Sequence, residues 1–261
     1  MKKSIYVAME IQAGTEKLAE ALMLRGFPVK VKDDFITLPN GSQQDYEQLK
    51  YLLEVLHIPV FWNGDRFQLL VNHFPIQKMR EIIQYHGREH SVHMEGYHFK
   101  WRSFVNRRYG IRTNTIHLCP YTAILVKSLN EAGITALTGC NGHKKHSPNI
   151  QLSGVYVGVW FSIIQQKFMN DLDLHYIWKA EFTQGRSNAI ILANKQEHEE
   201  WDMKKVLSDC YQMASVLHKH AAELRAWKRH SFKRNMKATA EAYRETTNIH
   251  QLYEWMKKVS S

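Results

Sequence analysis

Apolar residues recur four apart in three places along this chain, and each series stops in the same way. Leu18, Leu22, Gly26 and Phe27 match Leu49, Leu53, His57 and Ile58, and again Leu125, Leu129, Gly133 and Ile134. Leucines at i and i+4 share one stripe of a helix, and a glycine past the last turn readily takes the left-handed cap conformation. Each series runs into a β-rich stretch (FPVKV, IPVFW, ITALT), then a turn, then a second strand-like run (FITL, RFQLLV, NIQL). Asn63-Gly64-Asp65 is a strong hairpin turn and Lys32-Asp33-Asp34 a weaker one. A fourth helix–hairpin unit lacks the leucine spacing. There, residues 156–170 carry Trp160, Ile163, Ile164 and Phe168 on one face, and HYIWKAEF and NAIILA flank a turn at Gln184-Gly185-Arg186.

The order strand, helix, hairpin, helix, hairpin, helix therefore occurs twice. The first copy opens on a strand, Ile5 to Ile11, and closes with a helix over 75–87 (Ile76, Met79, Ile82, Ile83). The second opens on a strand at IHLCP, 116–120, and closes with a long helix over about 198–226, where Met203, Val206, Cys210, Met213, Leu217 and Leu224 hold the period. The expected fold is α+β: two similar halves, residues 1–88 and 114–226, each an antiparallel sheet with helices on one face. Residues 89–113 have no sustained apolar period and read as a linker, and 227–261 as a basic helical tail. In element order this layout resembles the LAGLIDADG homing endonucleases, in which each copy's first helix ends at an acid that binds the catalytic metal. Here those helices end at Arg25-Gly26 and Ala132-Gly133 with no acid directly after. Asp33-Asp34 lies a strand further on, in the first copy alone. The resemblance thus implies a layout and not metal-dependent cleavage.

Bulk composition adds a partner class. A chain of 261 residues with 44% hydrophobic residues folds around one large core or two smaller ones. A net charge of +10 favours an anionic partner, nucleic acid before other polyanions or an acidic protein surface. Three cysteines, an odd number scattered through the chain, argue against a disulfide framework and for a reducing compartment. The opening MKKSIYVAMEIQAG meets Glu10 too early for a secretory leader, and no apolar run approaches the ~20 residues of a membrane span. The expected setting is cytoplasmic, with no membrane partner.

Two stretches carry the chemistry. In FKWRSFVNRRYGIR, residues 99–112, Arg102, Arg107, Arg108 and Arg112 alternate with Trp101, Phe104 and Tyr109. Guanidinium groups neutralise phosphates and exposed rings stack on bases, whereas the bland alternative sends the rings into the core. Lys144 and Lys145 add charge of the same sign. The second stretch, GCNGHKKHSPN, holds Cys140 three residues before His143. With His117 and Cys119 these two would complete a four-ligand zinc set, zinc being the one cofactor the sequence raises. Alternatively Cys140 is a nucleophile with His143 as its base, and Asn141 or His146 as an orienting group. A third reading makes Gly139, Gly142, Lys144 and Lys145 a phosphate-holding loop. The plainest makes Cys140 a small residue at the end of a buried strand, followed by a solvated turn.

Overall fold

In a computed structural model of the chain, residues 13–39, 41–87, 100–182, 189–233 and 248–261 are described. The first-half strand expected at 5–11, the hairpin turn at 184–186 and the first part of the linker, 89–99, lie outside them. The first half runs α1 (Gly14–Arg25), β1 (Lys30–Lys32), β2 (Phe35–Thr37), α2 (Gln43–Val55), β3 (Val60–Asn63), β4 (Arg66–Leu69) and α3 (Ile76–Gln84). A short α4 (Trp101–Asn106) precedes the second half. That half runs α5 (Ala123–Glu131), β5 (Ala136–Cys140), β6 (Asn149–Leu152), α6 (Val155–Phe168), β7 (Ile177–Phe182), β8 (Ala189–Asn194) and α7 (Met203–Lys233). Helix α8 (Ile249–Ser260) follows.

Two four-stranded antiparallel sheets share one strand order, β1-β2-β4-β3 and β5-β6-β8-β7. In each half the closing helix packs on the first helix, α3 on α1 and α7 on α5, and α1 meets α5 where the halves join. The repeated leucine series ends in one device. The amides of Phe27, Ile58 and Ile134 donate to the carbonyls of Leu22, Leu53 and Leu129 at 3.0, 2.9 and 2.9 Å. The residue before each is left-handed, Gly26 at φ 110°, His57 at 51° and Gly133 at 79°. This wrap-back satisfies carbonyls a helix end leaves open, and it turns the chain into the next strand.

Each half has its own core. One gathers Leu18, Leu22, Leu49, Leu52, Phe67, Met79 and Ile82; the other gathers Leu125, Leu129, Ile150, Trp160, Trp178 and Met213. Alternation along the strands, with Ile150 and Leu152 buried and Asn149 and Gln151 half-buried, follows from the pleat. Asp209 of α7, fully buried, ties that helix to the start of β7. It accepts from the amides of His175 and Tyr176 at 2.8 and 2.9 Å, from His175 Nδ1 at 2.9 Å and from Trp178 Nε1 at 3.1 Å.

Three polar side chains of the first half hold the segment before α5. Buried Arg25 donates to the carbonyls of Ile116 and Leu118 at 2.9 and 3.1 Å and to Tyr85 O at 2.7 Å. Gln48 accepts from Ile116 N, and Asp45 accepts from Thr115 Oγ1 and from Lys127 Nζ at 2.9 Å. Asp45 also closes a capping box with Ser42 at the start of α2. This anchoring explains a departure from the sequence reading. Thr115–His117 is a 3₁₀ turn and not a strand, because its backbone and side-chain groups bond to α1 and α2 instead of a sheet neighbour.

The linker and tail are structural as well. Trp101, Phe104 and Val105 of α4 are buried in the second core, where Trp101 meets Tyr156, Phe232 and Trp255 edge-on at 5.0, 5.5 and 5.6 Å. Helix α7 runs unbroken through position 226 to Lys233, and α8 docks on α6 and α7, with Leu252 and Met256 buried. Trp101 is therefore not an exposed stacking platform: its ring is enclosed by aromatics from three other elements.

Candidate functional sites: a thiol–imidazole cluster and a basic groove

Cys119 and Cys140 are far apart in the chain and are brought together by the packing of β5 on α5. Gly139 permits that approach, since a Cβ there would lie 2.9 Å from Val126 Cγ2 and 3.0 Å from Thr122 Oγ1. Asn141 then bolts the two segments together. Its side-chain amide donates to Pro120 O at 3.1 Å, its backbone N–H points at Cys119 Sγ at 3.4 Å, and its Oδ1 accepts from His143 N at 2.9 Å. Gly142, His143 and Lys144 are all left-handed, with φ of 74°, 49° and 62°. Two consecutive non-glycine residues in this region carry strain of ~1–2 kcal/mol each. The result is a tight curl that returns His143 over the end of β5.

The ligand atoms of Cys119, Cys140 and His143 all lie within 4.8 Å of one another. Cys119 is buried, Cys140 half-buried and His143 exposed, so the cluster opens to solvent on one side. The two sulfurs are unlike. The Cys140 thiol is pushed down to about 5, chiefly because Cys119 donates to it, with the Gly142 N–H and the His143 imidazole adding to this against the cost of burial. As the donor of that pair, and as a buried group, Cys119 is pushed up. The contact between the two thiols thus favours the anionic form at Cys140 over Cys119.

Of the four zinc ligands expected from sequence, three converge and His117 does not. His117 sits on the 3₁₀ turn with its ring beside Gly87, and its carbonyl faces His86 Nε2 at 3.2 Å. Asn141 orients the loop through His143's backbone and not through its ring, so it does not complete a nucleophile–base–orienter triad. Lys145 and His146 are exposed, and Lys144 borders a shallow opening that also holds Glu200 and Asp202. That opening mixes Arg80 and Lys204 with the two carboxylates, so it is not the purely cationic pocket of a phosphate loop.

The arginines of the linker fall into two settings. Arg107 and Arg108 leave α4 toward the last turns of α7, whose Arg225, Arg229 and Lys233 are four apart and share one stripe. Two adjoining cavities, about 720 and 120 Å³, lie along this seam. Among the described residues their lining includes Arg107, Arg108, Arg225, Lys228, Arg229 and Lys233, with His230, Tyr109 and a few neutral residues, and no Asp or Glu. Arg225 stacks on the Tyr109 ring at 4.7 Å and donates to Glu131 O. Lys228 is buried, donates to Gly133 O at 2.6 Å, and is pushed down to about 8 by burial. Arg102 is exposed on α4, and Arg112 lines a separate cavity of about 500 Å³ between the halves that also holds Asp45 and Glu131.

Sequence reasoning missed the α7 side of the groove. Its signal was present: residues 218–261 hold ten Lys or Arg against four Glu, and positions 225, 229 and 233 keep the helical i+4 step. Comparison with protein-family models, with curated proteins and with solved structures returned no significant match.

Proposed function

We propose that the protein binds an anionic polymer, nucleic acid before any other, in the groove between the exit of α4 and the C-terminal turns of α7. One observation carries this reading: six Lys and Arg side chains line two adjoining cavities into which, among the described residues, no carboxylate projects. Cations spaced along a helix match phosphates along a strand, and neutralising them releases counterions. Tyr109, exposed and stacked under Arg225, adds a ring at the groove's edge. The overall charge of +10 favours encounter with such a partner, and the three free cysteines fit a reducing compartment such as the cytoplasm. Among the described residues no helix is long and apolar enough to cross a membrane.

The test is a salt titration of binding to labelled duplex, single-stranded DNA and single-stranded RNA, with polyglutamate as competitor. Arg108→Ala/Arg229→Ala should weaken binding and flatten the log–log salt slope by about 1.8 for duplex or about 1.4 for a single strand. An unchanged slope removes the groove from the interface. Equal competition by polyglutamate assigns the groove to acidic protein surfaces instead.

A further inference from the structure

We infer that Cys119, Cys140 and His143 form a zinc site with three protein ligands and an open fourth position. The inference is independent of the groove and rests on geometry. In a tetrahedral zinc centre with Zn–S of about 2.3 Å and Zn–N of about 2.0 Å, ligand atoms stand roughly 3.5–3.8 Å apart. Here the two sulfurs and an imidazole nitrogen already lie within 4.8 Å of one another, so the side chains need only a small contraction.

The surroundings are those of thiolate ligands. The backbone N–H of Asn141 points at Cys119 Sγ and that of Gly142 at Cys140 Sγ, both at 3.4 Å. Such N–H···S contacts stabilise negative sulfur and fix its direction, as outer-shell partners of a metal do. Asn141 holds both ligand segments at once, through Pro120 and through the His143 amide. The left-handed run 142–144 gives the strain a purpose, because an ordinary extended exit from β5 would carry His143 away from Cys140. Arg25 fixes the backbone just before Cys119 through the Ile116 and Leu118 carbonyls.

The donor set selects the metal. Two thiolates and an imidazole suit zinc, while magnesium and calcium require oxygen ligands that this cluster lacks. Loading expels any proton still on the two sulfurs into solvent and changes no oxidation state. One dication, two thiolates and a neutral imidazole sum to zero charge, which suits a half-buried position. No fourth His, Cys, Asp or Glu joins the cluster among the described residues. The remaining position faces solvent on the His143 side and takes water or an added ligand, the arrangement of zinc sites that do chemistry.

Cobalt(II) substitution tests this on the full chain, stripped with chelator under reductant and confirmed to hold three titratable thiols. One equivalent of cobalt should produce a thiolate-to-metal band in the near ultraviolet and visible absorption of tetrahedral strength, and one equivalent of zinc should abolish both. Cys140→Ser and His143→Asn should each weaken uptake by more than about 100-fold, beyond the loss typical of an outer-shell partner. Asparagine tolerates the left-handed backbone at 143, so that variant remains informative if Cys140→Ser fails to fold. His117→Ala and Cys210→Ser should bind as the parent does. The site is overturned by cobalt bound without the thiolate band, by no uptake at micromolar metal, or by a band that survives in both Cys140→Ser and His143→Asn.

Discussion

Lys228 is an ammonium group held inside the protein, bonded to the carbonyl of Gly133 and set 5.1 Å from the centre of the Phe104 ring. Burial pushes it down to about 8, against 10.5 for the free side chain. The unfolded chain therefore binds more protons than the folded one between those values, so stability should rise as pH climbs from about 8 to 10.5. The whole effect is on the order of 3 kcal/mol. Urea unfolding of wild type and Lys228→Met at several pH values checks it: the difference between the two should depend on pH in that interval and flatten below it. A phosphate in the adjoining groove should oppose the shift, which links this residue's proton to occupancy of the groove. The same scale shows what sequence reading leaves hidden. Trp101 and Tyr109 look alike in FKWRSFVNRRYGIR, yet one is enclosed and the other exposed, because a six-residue helix is too short to reveal a buried face by periodicity.

Among the elements, α2 differs from α1 and α5 in how it stops. All three wrap back through a left-handed residue, but α2 uses His57 where the others use glycine. His57 is exposed, so its side chain offers little packing against the strain. His57→Gly should raise stability by about 1 kcal/mol, read as a shift in the urea midpoint at constant slope. Gly133→Ala should do the opposite, since its Cβ would meet Arg108 O at 2.8 Å as well as the positive φ. These helix ends and the hairpin at Asn63-Gly64-Asp65 were legible in the sequence because spacing and turn chemistry are local. The Cys119–Cys140 approach was raised from ligand types alone and had no pattern to fix it, because it is made by β5 lying on α5 through Gly139. Nor could the sequence separate His117 from the cluster, since only the bonds of Arg25, Asp45 and Gln48 make its segment a turn.

The molecule is held across its two halves by Asp45 and Lys127. Burial alone would raise the Asp45 carboxyl, but Lys127 and Ser42 outweigh it and hold it below the usual range. A depressed folded value means that this contribution is full above the unfolded value of about 4, and is lost as pH falls through the folded one. Asp45→Asn should cost about 2 kcal/mol at neutral pH and should lose part of the acid sensitivity of thermal unfolding. Lys127→Met should reproduce much of that change, and the double variant should fall short of the sum. The shared strand order has its own consequence. At the turn of the first hairpin the first half has only Asp33-Asp34, while the second has the longer loop bearing the curl at 142–144. The closing helix is Ile76–Gln84 in one half and Met203–Lys233 in the other. Two identical subunits would have to display every such feature twice. A tandem chain can keep its pseudo-symmetry in the scaffold and break it in the ornament, so saturation should come at one metal and one polymer segment per chain.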